Sequence, residues 1–426
     1  MSILTSKQGD ELRRAVLEYL VANGLTATAT TFHQEAQLPA DALPPSASTP
    51  AGASTLEKKW TSIVRLQRKI MDLESRVSQL TDEVASSAGS RPNSKSSADV
   101  LPRAPARFEL TGHRMPITAV AFHPSYSLLA TASEDASVKL WDPESGEFDK
   151  TLKGHTKAVT HVAFDGRGAL LATCSADLSI KLWDVANDYA NTKTLYGHDH
   201  SVSSVAFLPP NNTVLVSASR DKTVKFWDLA NGYCTRTIVG HDDWVRMAVP
   251  SADGRWLATC SNDQTARVWT VASGECRGEM RGHEHVVECV AWVPVEAYEA
   301  VVRLLAESAT TNGSSGKKYS SEPGQFLVTG SRDKEIKLWD AGSGQCLYTF
   351  RGHDNWVRAL IFHPSGKYLL SASDDKTVRC WDMSSGRCVK TLEAHGHFVT
   401  ALAWSPRTQT VATGSVESCA KIWDCK

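Results

Sequence analysis

Six Trp-Asp pairs, at Trp141, Trp183, Trp227, Trp339, Trp381 and Trp423, punctuate the chain, and Trp269-Thr270 is a degenerate seventh. Upstream of them lie Gly-His pairs ending at His113, His155, His198, His241, His283 and His353, with Ala394-His395 in the last repeat. From His to Trp the distance is 28 residues in five repeats, 29 in the third and 56 in the fifth. Six residues before every Trp stands an acid: Asp135, Asp177, Asp221, Asp263, Asp333, Asp375 and finally Glu417. Two residues before each acid is a serine: Ser133, Ser175, Ser219, Ser261, Ser331, Ser373 and Ser415. A chain that repeats itself every 42 residues or so is built from one supersecondary unit used many times.

That period, with its Gly-His and Trp-Asp marks, is the WD-repeat signature, which implies four strands per propeller blade. The strands are legible. In the sixth repeat Val357–Phe362 alternates, Tyr368–Ser373 follows a Ser-Gly turn, and Thr377–Asp382 follows an acidic turn. Seven repeats predict seven blades. The recurring His, Ser, Asp and Trp resemble the hydrogen-bonded tetrad of such repeats, since a buried carboxylate needs donors that imidazole and turn N–H groups supply. A metal or catalytic reading of the same residues fails on the repetition, because an enzyme needs one site. The last repeat lacks its fourth strand, and Arg107-Phe-Glu-Leu-Thr-Gly-His aligns with the outer strands of other repeats. Residues 106–110 are therefore expected to complete the final blade and remove its open edge. The fifth repeat carries an insertion at about 295–323, expected as a short helix over Val295–Ala309 and then a loop, on the face opposite the Gly-His turns.

The first hundred residues have a different grammar. Residues 9–36 read as two short helices, with apolar stripes through Leu12, Val16, Leu17, Leu20 and Val21, and through Leu25, Ala29, Phe32 and Ala36. Asn23-Gly24 breaks them. The pattern resembles the LisH motif, whose hairpin is too small to bury its own apolar face, so pairing is expected through Leu12, Leu17, Leu20 and Phe32. A Pro/Ala-rich linker (37–55) follows. Heptads then run over 56–85. Leu56, Ile63, Ile70, Val77 and Val84 stand at a, and Leu66, Leu73 and Leu80 at d, with Lys59 the exception, a pattern that favours a parallel two-stranded coil. The Ser/Ala/Pro-rich stretch 86–105 reads as a flexible linker. The propeller is assigned to 106–426.

The fold class is thus mainly β, a seven-bladed WD-repeat propeller preceded by an α-helical LisH dimerisation motif and a parallel coiled coil. Lys and Arg total 46 against 47 Asp and Glu, so no polycation exists to coat nucleic acid or an anionic membrane. No run of 18 apolar residues spans a membrane. The ten cysteines are dispersed, and the first eight residues lack the pattern of a signal peptide, which points to a reduced cytoplasmic setting. Gly313-Ser-Ser-Gly-Lys-Lys lacks P-loop spacing, and no hydrolase, zinc or kinase motif occurs. No catalytic residue, metal ligand or cofactor is assigned.

The whole order of parts resembles the lissencephaly-1 / nuclear distribution F family, regulators of cytoplasmic dynein. Leu56-Glu-Lys-Lys-Trp-Thr-Ser, Ser219-Arg-Asp-Lys-Thr, His285-Val-Val-Glu-Cys, Gly352-His-Asp-Asn-Trp-Val-Arg and Ala394-His-Gly-His-Phe-Val-Thr add to it beyond the generic repeat. The resemblance implies a homodimer that binds the dynein heavy-chain motor, partners a NudE-type coiled-coil protein, and works on the cytoskeleton at microtubule ends and the spindle pole. A rival class, a chromatin or ubiquitin-ligase adaptor, shares LisH and WD repeats. Six residues not used by the tetrads stand out on the Gly-His face: Arg220 and Arg332 at the middle of Ser-x-Asp, and Trp244, Arg246, Trp356 and Arg358 in two Trp-Val-Arg runs. The intervening valines are expected to pack inward. Arg and Trp are enriched in binding hot spots. The bland alternative is that each Arg pairs with a neighbouring acid such as Asp242, Asp243 or Asp354.

Overall fold

The computed structural model describes residues 101–309 and 323–425, together with positions 16, 17, 20, 21, 28, 31 and 32 near the N-terminus. The chain divides into two units, Met1–Ser96 and Ser97–Lys426. In the first, the described positions are helical. Leu17 is fully buried within one chain, with Leu20, Val21 and Phe32 half-buried against it. Leu12 and the coil positions Ile63, Leu66, Ile70, Leu73, Val77 and Leu80 lie outside the described residues, as do the linker 37–55 and residues 86–100.

The second unit is a propeller of seven four-stranded antiparallel sheets. Blade one shows the pattern: Ile117–Phe122, Leu129–Ser133, Ser137–Trp141 and Phe148–Lys153, each pairing with the next. Burial rises and falls across each blade. The second strand is buried on both sides, as in Phe326–Ser331 of blade five. The outermost is exposed at most positions, as in Cys234–Val239 of blade three. The tryptophans bind the blades to one another. Trp183 of blade two packs with Leu140 and Leu152 of blade one, and Trp227 with Leu182 and Leu195 of blade two. Trp269, whose following residue is Thr270, still fills its groove beside Phe226 and Ile238. Each such indole removes about 200 Å² from water, on the order of 5 kcal/mol as an upper bound.

The start of the propeller sequence supplies the last strand of the ring. Phe108–Thr111 forms the outer strand of blade seven, with Phe108 opposite Ile422 and Thr111 opposite Cys419. Arg107 donates its N–H to the Ile422 carbonyl at 2.7 Å. The flexible linker expected up to residue 105 is corrected at its end. Leu101 is buried beside Trp423 and Cys425, Pro102 bridges to Cys425, and the Arg103 N–H reaches the Asp424 carbonyl at 3.1 Å. The cause is Leu101 itself, an apolar residue in a polar stretch, which finds an open groove on the last blade.

The fifth-repeat insertion leaves between Val287–Trp292 and Phe326–Ser331, opposite the Gly-His face. It begins with a 3₁₀ turn (Val295–Ala297) that runs into the helix Tyr298–Ala309. Ala297, Tyr298, Val301 and Leu304 fall on one helical face, and that face is buried against Phe326, Phe350 and Met383. At Gly366 of blade six, φ is +69°, and a Cβ would stand 2.5 Å from the Ala297 nitrogen, so only glycine admits the turn here. Residues 310–322 lie outside the described residues.

Candidate functional site

The Gly-His face is organised first by the tetrads. In blade one, His113 Nδ1 meets Asp135 Oδ2 at 2.8 Å and His113 Nε2 meets Thr131 Oγ1 at 2.8 Å, while Trp141 Nε1–H donates to Thr131 Oγ1 at 2.9 Å. The arrangement recurs in all seven blades, joining His155 to Asp177, His198 to Asp221, His241 to Asp263, His283 to Asp333, His353 to Asp375 and His395 to Glu417. Trp183, Trp227, Trp269, Trp339, Trp381 and Trp423 complete them.

One assignment is corrected. The hydroxyl that joins His to Trp is not the serine two residues before the acid. It stands ten residues before the Trp, at Thr131, Thr173, Ser217, Thr259, Thr329, Ser371 and Thr413. The uniform serine instead braces the turn: Ser133 Oγ donates to the Met115 carbonyl and accepts from the Asp135 N–H. The carboxylate then caps a residue in left-handed conformation, Ala136 in blade one, by accepting from Ser137 N–H at 2.9 Å.

An indole N–H can only donate, so the hydroxyl proton is left for imidazole Nε2, and Nδ1–H faces the acid. For His113, His155 and His395 this bonding goes with the neutral imidazole. Burial pushes His113, His155 and His395 below the ordinary imidazole value, against the pull of their acids. Burial alone would raise Asp135, but bonds from Ser137, His113 and the Arg114 N–H hold it at about 2. Asp177 is held at about 2 in the same way. Among the described residues, His395, Glu417 and Cys419 bring three potential ligand atoms within 4.8 Å. Glu417 there already serves His395, and Lys421 Nζ stands 3.9 Å from it, so the group reads as a tetrad variant.

The six singled-out residues come together as two copies of one arrangement. Arg220 lies over the Trp244 ring at 4.8 Å and Arg246 over it at 5.7 Å. Arg332 lies over the Trp356 ring at 4.1 Å and Arg358 at 4.9 Å. A histidine flanks each indole, His200 at 5.8 Å and His285 at 6.4 Å. In each copy one Arg comes from a Ser-x-Asp turn and the other from the inner strand of the following blade. Val245 and Val357 between Trp and Arg are fully buried, as alternation requires.

The second residue of the inner strand is skipped by the ladder in these blades. Pairing jumps from Val245 to Met247, from Val287 to Cys289 and from Val357 to Ala359. A bulge residue is re-aimed out of the sheet plane. The bulge residues are Arg246, Glu288 and Arg358, and they meet. Glu288, its side chain only 8% exposed, pairs with Arg332, and stands 3.9 Å from Arg246 and 3.8 Å from Arg358. Arg358 also grips Asp374 with two bonds of 2.9 Å. Arg246 Nε donates to Asn262 Oδ1 at 2.6 Å. Burial lowers Arg246 below its ordinary value. It opposes the charge on Arg358 too, but Asp374 and Glu288 outweigh it and raise that group.

The acids named from sequence proximity are not the partners. Asp243 accepts from the Trp244 N–H at 2.7 Å, and Asp354 lies 3.8 Å from Arg379. Glu288, Asp374, Asn262, His200 and His285 were missed as site residues. Glu288 had a signal, since it occupies the strand register of Arg246 and Arg358. Arg220 has no carboxylate partner among the described residues. Within this cluster four guanidiniums share two carboxylates, Glu288 and Asp374, beside two half-buried indoles.

These features define a class, a WD-repeat propeller whose Gly-His face carries two arginine–tryptophan stacks. The family model "WD domain, G-beta repeat" matches residues 106–142, 146–184, 190–228, 232–270, 319–340, 344–382 and 386–424, and "PAC1 LisH domain" matches 6–41. A nuclear distribution protein PAC1 of Arthroderma benhamiae is 48% identical over 377 residues, covering 85% of this chain and 80% of the relative. One of Coprinopsis cinerea is 51% identical over 366 residues, covering 86% and 81%. The chain belongs to the nuclear distribution protein PAC1 family. Among the described residues no helix is long and apolar enough to cross a membrane.

Proposed function

We propose that the protein is a dimeric, non-enzymatic adaptor that binds the heavy-chain motor of cytoplasmic dynein and regulates its microtubule attachment and motility. In this reading it supports nuclear migration, spindle positioning and retrograde transport, with a NudE-type coiled-coil protein as a second partner. The carrying observation is the pair of Arg–Trp–Arg stacks on one rim, spread over blades three to six. Guanidinium forks recognise carboxylates in a planar, charge-assisted way, and an indole beside them supplies an apolar anchor. The partner surface is therefore acidic with an apolar centre. Two propellers joined through 1–85 engage two motor sites or two heads, gaining avidity.

The test is a solution titration of the full chain against purified dynein motor domain. Arg220→Ala with Trp244→Ala and Trp356→Ala removes the free cation and both anchors while leaving the Glu288 pairs in place. Binding is expected to fall by about a hundredfold or more, since such anchors cost about 2 kcal/mol or more apiece. Circular dichroism checks that the fold survives. Rising salt weakens the wild-type complex because the charges are screened. A triple variant that binds as tightly as wild type places the contact elsewhere.

A further inference from the structure

On the face opposite the rim, one register of the outer strand carries a long side chain in six blades: Phe108, Lys150, Lys193, Arg236, Tyr348 and Lys390, each paired with the residue just before the blade's tryptophan. It closes the gap to the next blade. Lys150 Nζ reaches the Asp188 carbonyl at 2.8 Å, Lys193 Nζ the Leu229 carbonyl at 2.8 Å, and Arg236 the Val271 carbonyl at 2.6 Å. Phe108 and Tyr348 cover Gly146 and Gly386 in the same way. In blade four this register holds Gly278, paired with Val268. There the backbone of blade five closes on the glycine instead, where a Cβ would stand 2.7 Å from the Ala341 carbonyl oxygen, Arg277 reaches across toward Gly342, and a groove of about 280 Å³ opens beside them.

Arg255, Trp256, Arg277, Gly324, Asp340 and Ser343 are among the residues that wall this groove. The Arg277 guanidinium lies over the Trp256 ring at 4.0 Å. Stacking occupies its faces and leaves its in-plane N–H donors free. Arg277 has no carboxylate partner among the described residues, and Arg255, with 73% of its side chain exposed, holds Asp253 only loosely at 3.7 Å. The one acid in the wall is already committed. Asp340 Oδ1 accepts from the Gly342 N–H at 3.0 Å and Oδ2 from Ser343 Oγ at 2.9 Å. Among the described residues, two guanidiniums and an indole line this cleft of side-chain size, beside the carboxylate of Asp340.

We propose that this groove is a second recognition site, which takes a phosphorylated serine or threonine side chain of a partner protein. A phosphate carries nearly two charges near pH 7 and three acceptor oxygens, and so can take forks from both arginines. The indole covers the short apolar stem. The site is separate from the rim on the opposite face, so it stands or falls independently of the motor contact.

The test uses the full chain and a short Ala/Gly peptide with one central phosphoserine, followed by ligand-observed NMR. Saturable binding is expected, with inorganic phosphate as a competitor. Arg277→Ala is expected to weaken it by about tenfold or more, and Arg277→Lys to restore only part, because a point charge lacks the fork and the stack. Arg220→Ala on the rim leaves it unchanged. Unaltered binding in Arg277→Ala, or no binding at millimolar peptide, overturns the proposal. Equal affinity for the same peptide with glutamate shows recognition of charge and not of phosphate, and overturns the ligand assignment. Sedimentation with phosphatidylserine vesicles that depends on Arg277, without peptide binding, assigns the groove to a lipid headgroup and overturns it too.

Discussion

The two Arg–Trp–Arg stacks share register, bulge and flanking histidine, yet they differ in how their charge is balanced. The stack on Trp356 is closed upon itself. Arg332 is paired with Glu288, and Arg358 with Asp374. The stack on Trp244 is open. Arg246 has an uncharged amide, Asn262, at 2.6 Å and only a long contact to Glu288, and Arg220 has no acid among the described residues. Two positions make this difference: Asn262 in blade four stands where blade six has Asp374, and the bulge position of blade three holds Ser203 where blade five has Glu288. The comparison teaches that arginine at a rim position says little about binding until its partner is known. A paired guanidinium is pre-organised and partly neutralised, whereas an unpaired one seeks an acid.

The strongest challenge to this contrast is Glu288→Ala. It leaves three arginines facing one another with one acid among them, and removal of one partner from a largely buried network costs about 3 kcal/mol. The expected outcome is a lowered urea midpoint with unchanged slope, and a larger disturbance around Trp356 than around Trp244. An equal disturbance of both indoles in NMR spectra would mean that the stacks are one unit and not two.

Acid separates the rim from its scaffold. The arginines keep their charge throughout, and the first stage of any loss on acidification, above the carboxylate range, reports on the tetrads. Imidazoles whose folded value is depressed stabilise fully above their unfolded value of about 6.5, and lose that contribution as pH falls below it. Asp135 and Asp177, held at about 2, add a second loss as pH falls from the ordinary carboxylate value toward 2. Thermal unfolding followed at pH 7, 5 and 3 is therefore expected to fall in two stages. A midpoint that rises on acidification would reverse the assignment of neutral histidines.

What the sequence made readable and what it hid divide along the same line. Blade number, ring closure and the inward valines follow from periodicity, which is local and repeated seven times. The tetrad hydroxyl was confused because Ser133 and its counterparts recur without variation, while the true partner alternates between Thr and Ser and hides in a buried strand. The pairing of Arg332 with Glu288 spans 44 residues and depends on a bulge that periodic alternation does not announce. Leu101 was lost in a stretch whose average composition is polar, although one apolar residue is enough to seat an end of chain. The coil heptads lie outside the described residues, and their reading rests on pattern alone.

Single substitutions at the two stacks measure the contrast in binding. Arg220→Ala is expected to cost about 2 kcal/mol of affinity for the motor, and Arg332→Ala less, once the stability lost by freeing Glu288 is accounted for by titrating at equal folded protein. Equal losses in the titration would remove the distinction between open and closed stacks.

The smallest and most specific effect belongs to Asn262→Asp, which gives the open stack the acid that the closed one has. The new carboxylate would stand where Asn262 Oδ1 now accepts from Arg246 Nε at 2.6 Å, so no rearrangement is required. A charge-assisted bond in place of a neutral one adds about 0.5–1 kcal/mol of stability. The same charge reduces the positive surplus of the rim, and affinity for an acidic partner should drop several-fold, about 1 kcal/mol, with a shallower dependence on salt. The two signs are opposed, which is what makes the variant informative. A protein that becomes more stable and binds less well supports a rim in which binding draws on unsatisfied charge. A protein that becomes more stable and binds the motor better would show that pre-organisation of Arg246, and not its free charge, limits recognition.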